Sequence, residues 1–173
     1  MNNTFCIWLT GLPSSGKSTI AKLLKEELKK LNVNVFILDS DDLRKILTPN
    51  PKYTEEERDW FYNVLVYFAT ILVQNQVNVI IAATGNKAKY RENCRRSIKN
   101  FIEVYIKCSL SECLKRDSKG LYNLALQGKI NNLPGLQDIY EEPLNPELVV
   151  ESDKLTPEQS ANLIMQEINK RFL

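Results

Sequence analysis

Apolar residues come in short blocks separated by polar turns. Residues 4–10 (TFCIWLT) form a continuous apolar run cut by the Gly11–Gly16 stretch, which predicts a buried strand. Over 17–31 the spacing changes. Ile20, Leu23, Leu24, Leu28 and Leu31 fall on one face of a helix, and lysines and glutamates fill the other. Residues 33–38 (VNVFIL) predict a second strand that ends at Asp39-Ser40-Asp41-Asp42, with a short helix starting near Leu43 and running through Leu47. Thr48-Pro49-Asn50-Pro51 reads as a loop. Thr54 and Glu57 have the spacing of a capping box and open a long helix to about Gln76.

Residues 77–83 (VNVIIAA) and 101–108 (FIEVYIKC) predict a third and a fourth strand on either side of a basic helix, 87–99, whose exposed face reads as solvated. Ser109 with Glu112 predicts a second capping box and a helix to about Asp117. Residues 119–146 are rich in Gly, Pro and Asn and carry little periodicity; so long a stretch inside a compact domain predicts a functional lid. A last strand covers 147–150, and Thr156-Pro157-Glu158-Gln159 caps a final helix with proline in its first turn. Strands alternate with helices throughout, with no repeat and no linker. The expectation is an α/β fold: a parallel five-stranded sheet with helices on both faces and a lid, in one domain over 1–173.

Composition narrows the function classes. A net charge of +2 is too small to indicate, by charge alone, a binder of nucleic acid or of an anionic membrane surface. The N-terminal segment lacks a cationic region followed by an apolar core, and no apolar run reaches the length of a membrane span, so a cytoplasmic protein is expected. Cys6, Cys94, Cys108 and Cys113 are expected as free thiols there; their irregular spacing and the lack of a C-x-x-C pair argue against zinc. The chain has no histidine. Any proton acceptor is therefore a carboxylate, a lysine, a tyrosine or a cysteine.

Gly11-Leu12-Pro13-Ser14-Ser15-Gly16-Lys17-Ser18 fits G-x-x-x-x-G-K-[ST], between a predicted strand and a predicted helix. The glycines let the backbone curl so that its N–H groups form an anion nest at a helix N-terminus. Lys17 supplies positive charge to the β- and γ-phosphates of ATP, Ser18 offers its hydroxyl to Mg²⁺, and Thr19 is placed beside a neighbouring phosphate. This predicts a P-loop NTPase-type fold.

Ligands of open parallel sheets bind at the carboxyl ends of strands, where Asp39, Asp41 and Asp42 stand. Phosphoryl transfer needs a metal clamp and a group that orients the incoming hydroxyl. Asp41 is the candidate acceptor of the hydroxyl proton and Asp39 the candidate for holding Mg²⁺ through water, while one of the three is expected to cap the following helix. Arg44, one turn from Asp41, and Arg58, in the first turn of the long helix, are candidates for anionic oxygens in the same cleft.

The chain resembles the adenylyl-sulfate kinases over nearly its whole length. Asp39-Ser40-Asp41-Asp42-Leu43-Arg44 is similar to that family's L-D-G-D-N-x-R segment. Phe101 to Tyr105 and Arg116-Asp117-Ser118-Lys119-Gly120-Leu121-Tyr122 resemble its F-x-E-V-(Y/F) and R-D-x-K-G-L-Y segments, and Tyr140-Glu141 and Pro146-Glu147-Leu148 continue the match. The resemblance implies a homodimeric kinase that moves the γ-phosphate of ATP to a nucleotide's ribose 3′-hydroxyl, with adenylyl sulfate as acceptor. It implies that Asp41 lies near that hydroxyl, that Arg44, Arg58 and Lys119 contact the acceptor, and that Tyr53 stacks on its base. Thr84 and Leu133 belong to the same side of the site.

The departures gather at that side. Asp42 replaces an asparagine, Phe61 stands where an asparagine is expected three residues after Arg58, Ala82 to Lys87 replaces an S-F-I-S-P-Y-R segment, and Leu133-Pro134-Gly135 replaces F-T-G. A base between Tyr53 and Leu133 loses one stacking face, worth on the order of 1 kcal/mol. A homologous branch acts on a cytidine nucleotide, CDP-phosphoramidate, in capsule modification, and this acceptor stays open beside adenylyl sulfate. A P-loop regulator without a small acceptor is the more distant alternative; Asn86-Lys87-Ala88-Lys89 lacks the last aspartate of a guanine-reading N-K-x-D. The lid, with Gly120, Gly128 and Gly135 as hinges, is expected to close over the acceptor and limit hydrolysis.

Overall fold

The computed structural model describes residues 4–173. Five strands, β1 (Cys6–Thr10), β2 (Val35–Asp39), β3 (Asn78–Ala82), β4 (Phe101–Lys107) and β5 (Leu148–Glu151), form one parallel sheet in the order β2-β3-β1-β4-β5. In the register, Ile7 of β1 sits between Ile80 of β3 and Ile102 of β4. Every residue of β1 is buried, because central parallel strands are covered on both faces; this is why they read as unbroken apolar runs. The edge strands β2 and β5 keep exposed positions.

Helices α1 (Lys17–Lys30) and α7 (Pro157–Phe172) cover one face, and α3 (Glu55–Gln74) and α4 (Ala88–Ser97) the other. On α1 the buried residues are Ile20, Ala21, Leu24 and Leu28, and each large one contributes about 2 kcal/mol by leaving water. On the opposite face Trp8 packs with Phe61, Tyr62 and Leu65, and its indole Nε1 donates to the Ala83 carbonyl at 3.0 Å. A third, smaller core lies under the helices α5 (Leu110–Arg116) and α6 (Leu121–Leu126) and includes Cys108, Cys113, Tyr122 and Leu133. The four cysteines are free and buried.

Several local expectations are corrected. Helix α2 (Ser40–Leu47) starts at once after β2, not near Leu43, because Asp39 is its N-cap and accepts from the Asp41 N–H at 2.9 Å. The Thr54 box is half made: Thr54 Oγ1 accepts from Glu57 N, but the Glu57 carboxylate reaches Lys52 N at 2.7 Å. At Ser109 no side-chain cap forms, since Glu112 pairs with Arg116 at 3.2 Å and Ser109 Oγ turns to Ser111. Only Thr156 and Gln159 satisfy each other fully. The segment 119–146 is not free of regular structure, for α6 lies within it.

The basic helix also has a buried face that carries charge. Arg91 of α4 is buried, its Nε 2.5 Å from Glu103 Oε1 of β4, while its Nη2 donates to the Glu141 carbonyl at 2.7 Å. Arg95 Nη2 donates to Glu103 Oε2 and to Glu147 Oε2, and Glu147 Oε2 also accepts from Glu103 N at 2.6 Å. Glu141 Oε2 in turn accepts from Ala88 N at the start of α4. This network welds β4, α4 and the 141–147 segment together. A buried charge is tolerable only with such partners.

Candidate active site

The phosphate loop joins β1 to α1. Gly11 has φ +151°, and a Cβ there would stand 2.4 Å from the Ile106 carbonyl oxygen, so only glycine fits. Gly16 caps α1 at φ +102°. Other elements hold the loop from behind: Tyr122 of α6 donates to the Pro13 carbonyl at 3.0 Å, and Ser152, just after β5, donates to the Ser15 carbonyl at 2.8 Å. Lys17 Nζ folds back over the loop and donates to the Gly11 and Leu12 carbonyls at 3.0 and 2.7 Å. Burial, and then the nearby charge of Lys119, lower its pKa from 10.5 to about 8, against an opposing pull from Asp41 and Asp39.

Ser18 Oγ donates to Asp39 Oδ2 at 2.6 Å. A hydroxyl and a carboxylate at the edge of an anion nest are hard oxygen donors, the kind that suits Mg²⁺. Asp39 thereby serves twice, since its Oδ1 caps α2. Asp41, half exposed, forms an ion pair across the cleft with Lys119 of the lid segment. Asp42 faces away and pairs with Lys45 at 2.7 Å on the surface.

One cleft of about 700 Å³ gathers these groups. It is lined by Pro13, Ser14, Ser15, Gly16, Lys17, Ser18 and Thr19 on the loop side, and by Asp41, Arg44, Tyr53, Arg58, Thr84, Lys119 and Leu133 on the other. Gly11, Leu12 and Asp39 stand behind this lining. The Thr84 carbonyl accepts from Thr10 Oγ1 at 2.6 Å. Arg58 is buried and holds its surroundings together: Nε donates to the Tyr53 carbonyl, and Nη2 donates to the Asn132 carbonyl at 2.6 Å and lies 3.3 Å from Asp138. Tyr53 sits in the left-handed region at φ +54°, and Asn132 Nδ2 also donates to its carbonyl.

The glycines of the lid segment differ from one another. Added Cβ atoms at Gly120 and Gly128 would meet nothing within 4 Å, but one at Gly135 would stand 2.4 Å from Leu12 Cδ2. Gly135 is therefore a packing contact with the phosphate loop and not a free hinge. The sequence assigns no role to Arg116, Ser118, Leu121, Ser152, Leu155 and Pro157, which also line the cleft. The available signal was positional, because 152–157 follow the carboxyl end of the last strand.

The arrangement places a triphosphate cradle between two different walls. A nucleobase can lie toward Arg116, Leu155 and Pro157, and a second anionic substrate can lie among Asp41, Arg44, Arg58 and Lys119.

Similarity to known proteins extends over nearly the whole chain. A family model described as adenylylsulphate kinase matches residues 3–151. The chain is 40% identical to a probable adenylyl-sulfate kinase of Pyrococcus abyssi over 94% of its own length and 93% of that protein's. It is 43% identical to a probable adenylyl-sulfate kinase of Archaeoglobus fulgidus, covering 87% of this chain and 97% of the relative. Among solved structures, the Mycobacterium tuberculosis APS kinase in complex with AMPPNP and APS superposes with a TM-score of 0.90 at 29% identity, over 96% of this chain and 98% of that one.

Proposed function

The chain belongs to the adenylylsulphate kinase family, and we propose that it transfers the γ-phosphate of ATP to the ribose 3′-hydroxyl of adenylyl sulfate, giving 3′-phosphoadenylyl sulfate and ADP. The observation that carries this reading is the single cleft in which Lys17 and Ser18 face Asp41, with three further cations, Arg44, Arg58 and Lys119, on the acceptor side. A pure hydrolase has no need of three cations beyond the γ-phosphate; an acceptor that carries its own anionic group does.

In this reading the backbone nest and Lys17 hold the β- and γ-phosphates, and the adenine of ATP lies toward Arg116 and Pro157. Ser18 and Asp39 are the residues that would hold Mg²⁺, which when bound neutralises charge on the phosphate oxygens. Asp41 orients the 3′-hydroxyl and takes its proton as the oxygen attacks the γ-phosphorus and the bond to ADP breaks. For that its carboxylate must leave Lys119, and the anionic end of the acceptor supplies Lys119 with a replacement partner. An ATP-dependent reaction and four free thiols, which need no oxidising compartment, support a cytoplasmic location. The family resemblance supports a homodimer as its acting form.

A second reading keeps the reaction and changes the acceptor to CDP-phosphoramidate, for capsule modification. Leu133, where a second aromatic ring would give a purine its other stacking face, favours it. A continuous ADP-release assay with each acceptor decides between them. Turnover with adenylyl sulfate well above the acceptor-free rate is expected. Turnover with the cytidine compound alone would replace the first reading by the second, and ATP hydrolysis indifferent to both would overturn the kinase assignment.

A further inference from the structure

Arg44 is held in an unusual way. Its guanidinium carbon lies 3.9 Å from the ring centre of Phe61 and 4.8 Å from that of Tyr53. Its side chain is only 11% exposed. Yet Nη1 is buried with no hydrogen-bond partner, and the nearest carboxylate oxygen, Glu57 Oε1, is 3.5 Å away and equally without one. The other oxygen of Glu57 is engaged by Lys52 N at 2.7 Å. Set against two rings, this donor faces the Glu57 carboxylate as a long ion pair and makes no hydrogen bond, whereas buried donors are normally hydrogen-bonded.

Phe61 explains the placement. On α3 it lies one turn after Arg58, on the same buried face; on α2, Arg44 lies one turn after Asp41. Phe61 is fully buried and fixed edge-on against Tyr62 at 5.5 Å, so its own position is not adjustable. A polar side chain at this position would offer Arg44 a hydrogen bond and turn the guanidinium toward α3. A ring offers only a face, which attracts the cation without itself accepting a hydrogen bond from the guanidinium edge.

We propose that Phe61 is a positioning residue for acceptor recognition: its ring, with Tyr53 opposite, holds the Arg44 guanidinium poised to receive an anionic oxygen of the acceptor. This rests on the reading of the cleft as an adenylyl-sulfate kinase site. It predicts that the ring matters through Arg44 and not through ATP.

The test is a double-mutant cycle on the full chain, reading KM for adenylyl sulfate, KM for ATP and the calorimetric Kd for adenylyl sulfate. Phe61→Leu is expected to raise KM and Kd for adenylyl sulfate roughly three- to thirtyfold, the range of a desolvated cation–π contact, and to leave KM for ATP unchanged. Phe61→Met, which refills the same volume, is the second variant should the first fold poorly, and Phe61→Tyr, which keeps the ring, is expected to restore binding. In an Arg44→Ala background Phe61→Leu should add no further loss. If Arg44→Ala weakens adenylyl sulfate but the Phe61 variants do not, or if their losses simply add to that of Arg44→Ala, the proposal is overturned while the function stands. If the parent protein does not bind adenylyl sulfate at all, the underlying reading falls, and the proposal with it.

Discussion

Lys17 illustrates how a single residue carries conflicting demands. The loop must bury an ammonium to aim it at phosphate, and burial lowers its pKa to about 8. The Gly11 and Leu12 carbonyls stabilise the cation. A bound triphosphate favours the protonated form more strongly than those carbonyls do, so binding raises the pKa. The sign follows: below pH 8 the site is already charged and affinity is flat. As pH rises above 8 a proton must be taken up with the nucleotide, and affinity falls by up to about tenfold per unit. Calorimetric titration with MgATP at pH 8.5 in two buffers of different ionisation enthalpy is expected to register proton uptake. Identical apparent enthalpies in the two buffers would show that Lys17 does not titrate there.

At the scale of elements, α3 presents two different faces. Its inner face supplies Arg58, Phe61 and Tyr62 to the cleft and core. Its outer face leaves Trp60, Tyr67, Phe68 and Ile71 exposed at helical spacing, within a stretch from Trp60 to Asn86 that contains no charged residue. An uncharged stripe suits contact with its own copy across a two-fold axis, where any charge would meet its like. Glu55, Glu56 and Asp59 at its start disfavour an anionic membrane surface as the partner. Tyr67→Lys is therefore expected to convert a dimer into a monomer in sedimentation analysis. A monomeric parent, or a dimer indifferent to this change, would contradict the homodimer.

Legibility in the sequence followed the range of the forces involved. The central strands were readable because full burial writes itself as an apolar run, and the phosphate loop because its glycines answer to backbone constraints within eight residues. Helix α6 was not: it has six residues, follows Gly120 at φ +68°, and its first N–H groups are satisfied by Asp117 from outside the helix. The Ser109 box failed because Asp153, 44 residues away, takes the Ser109 N–H and Arg116 takes Glu112. The buried pairing of Arg91 was not legible because Glu103 lies on another element. The part of the cleft lined by Ser152 and Pro157 stayed hidden for the same reason, since these residues reach it only once β5 pairs with β4.

For the whole molecule, strand order becomes substrate order. Along the carboxyl edge of the sheet, β5 brings Ser152 to one end, β1 brings the phosphate loop to the middle, and β2 brings Asp39 and Asp41 to the other. In the proposed function a nucleotide laid base-first from β5 points its γ-phosphate toward Asp41, and the acceptor enters from the side of α2 and α3. Binding and transfer are in this way assigned to different strands, which makes them separable. The most direct measurement is therefore made on Asp41→Asn, comparing the calorimetric affinity for MgATP with the rate of ADP release in the presence of adenylyl sulfate. Affinity within about twofold of the parent is expected, with transfer lowered by roughly 10²- to 10⁴-fold, the usual contribution of a positioned base. Transfer that survives the substitution at near the parent rate would contradict the account.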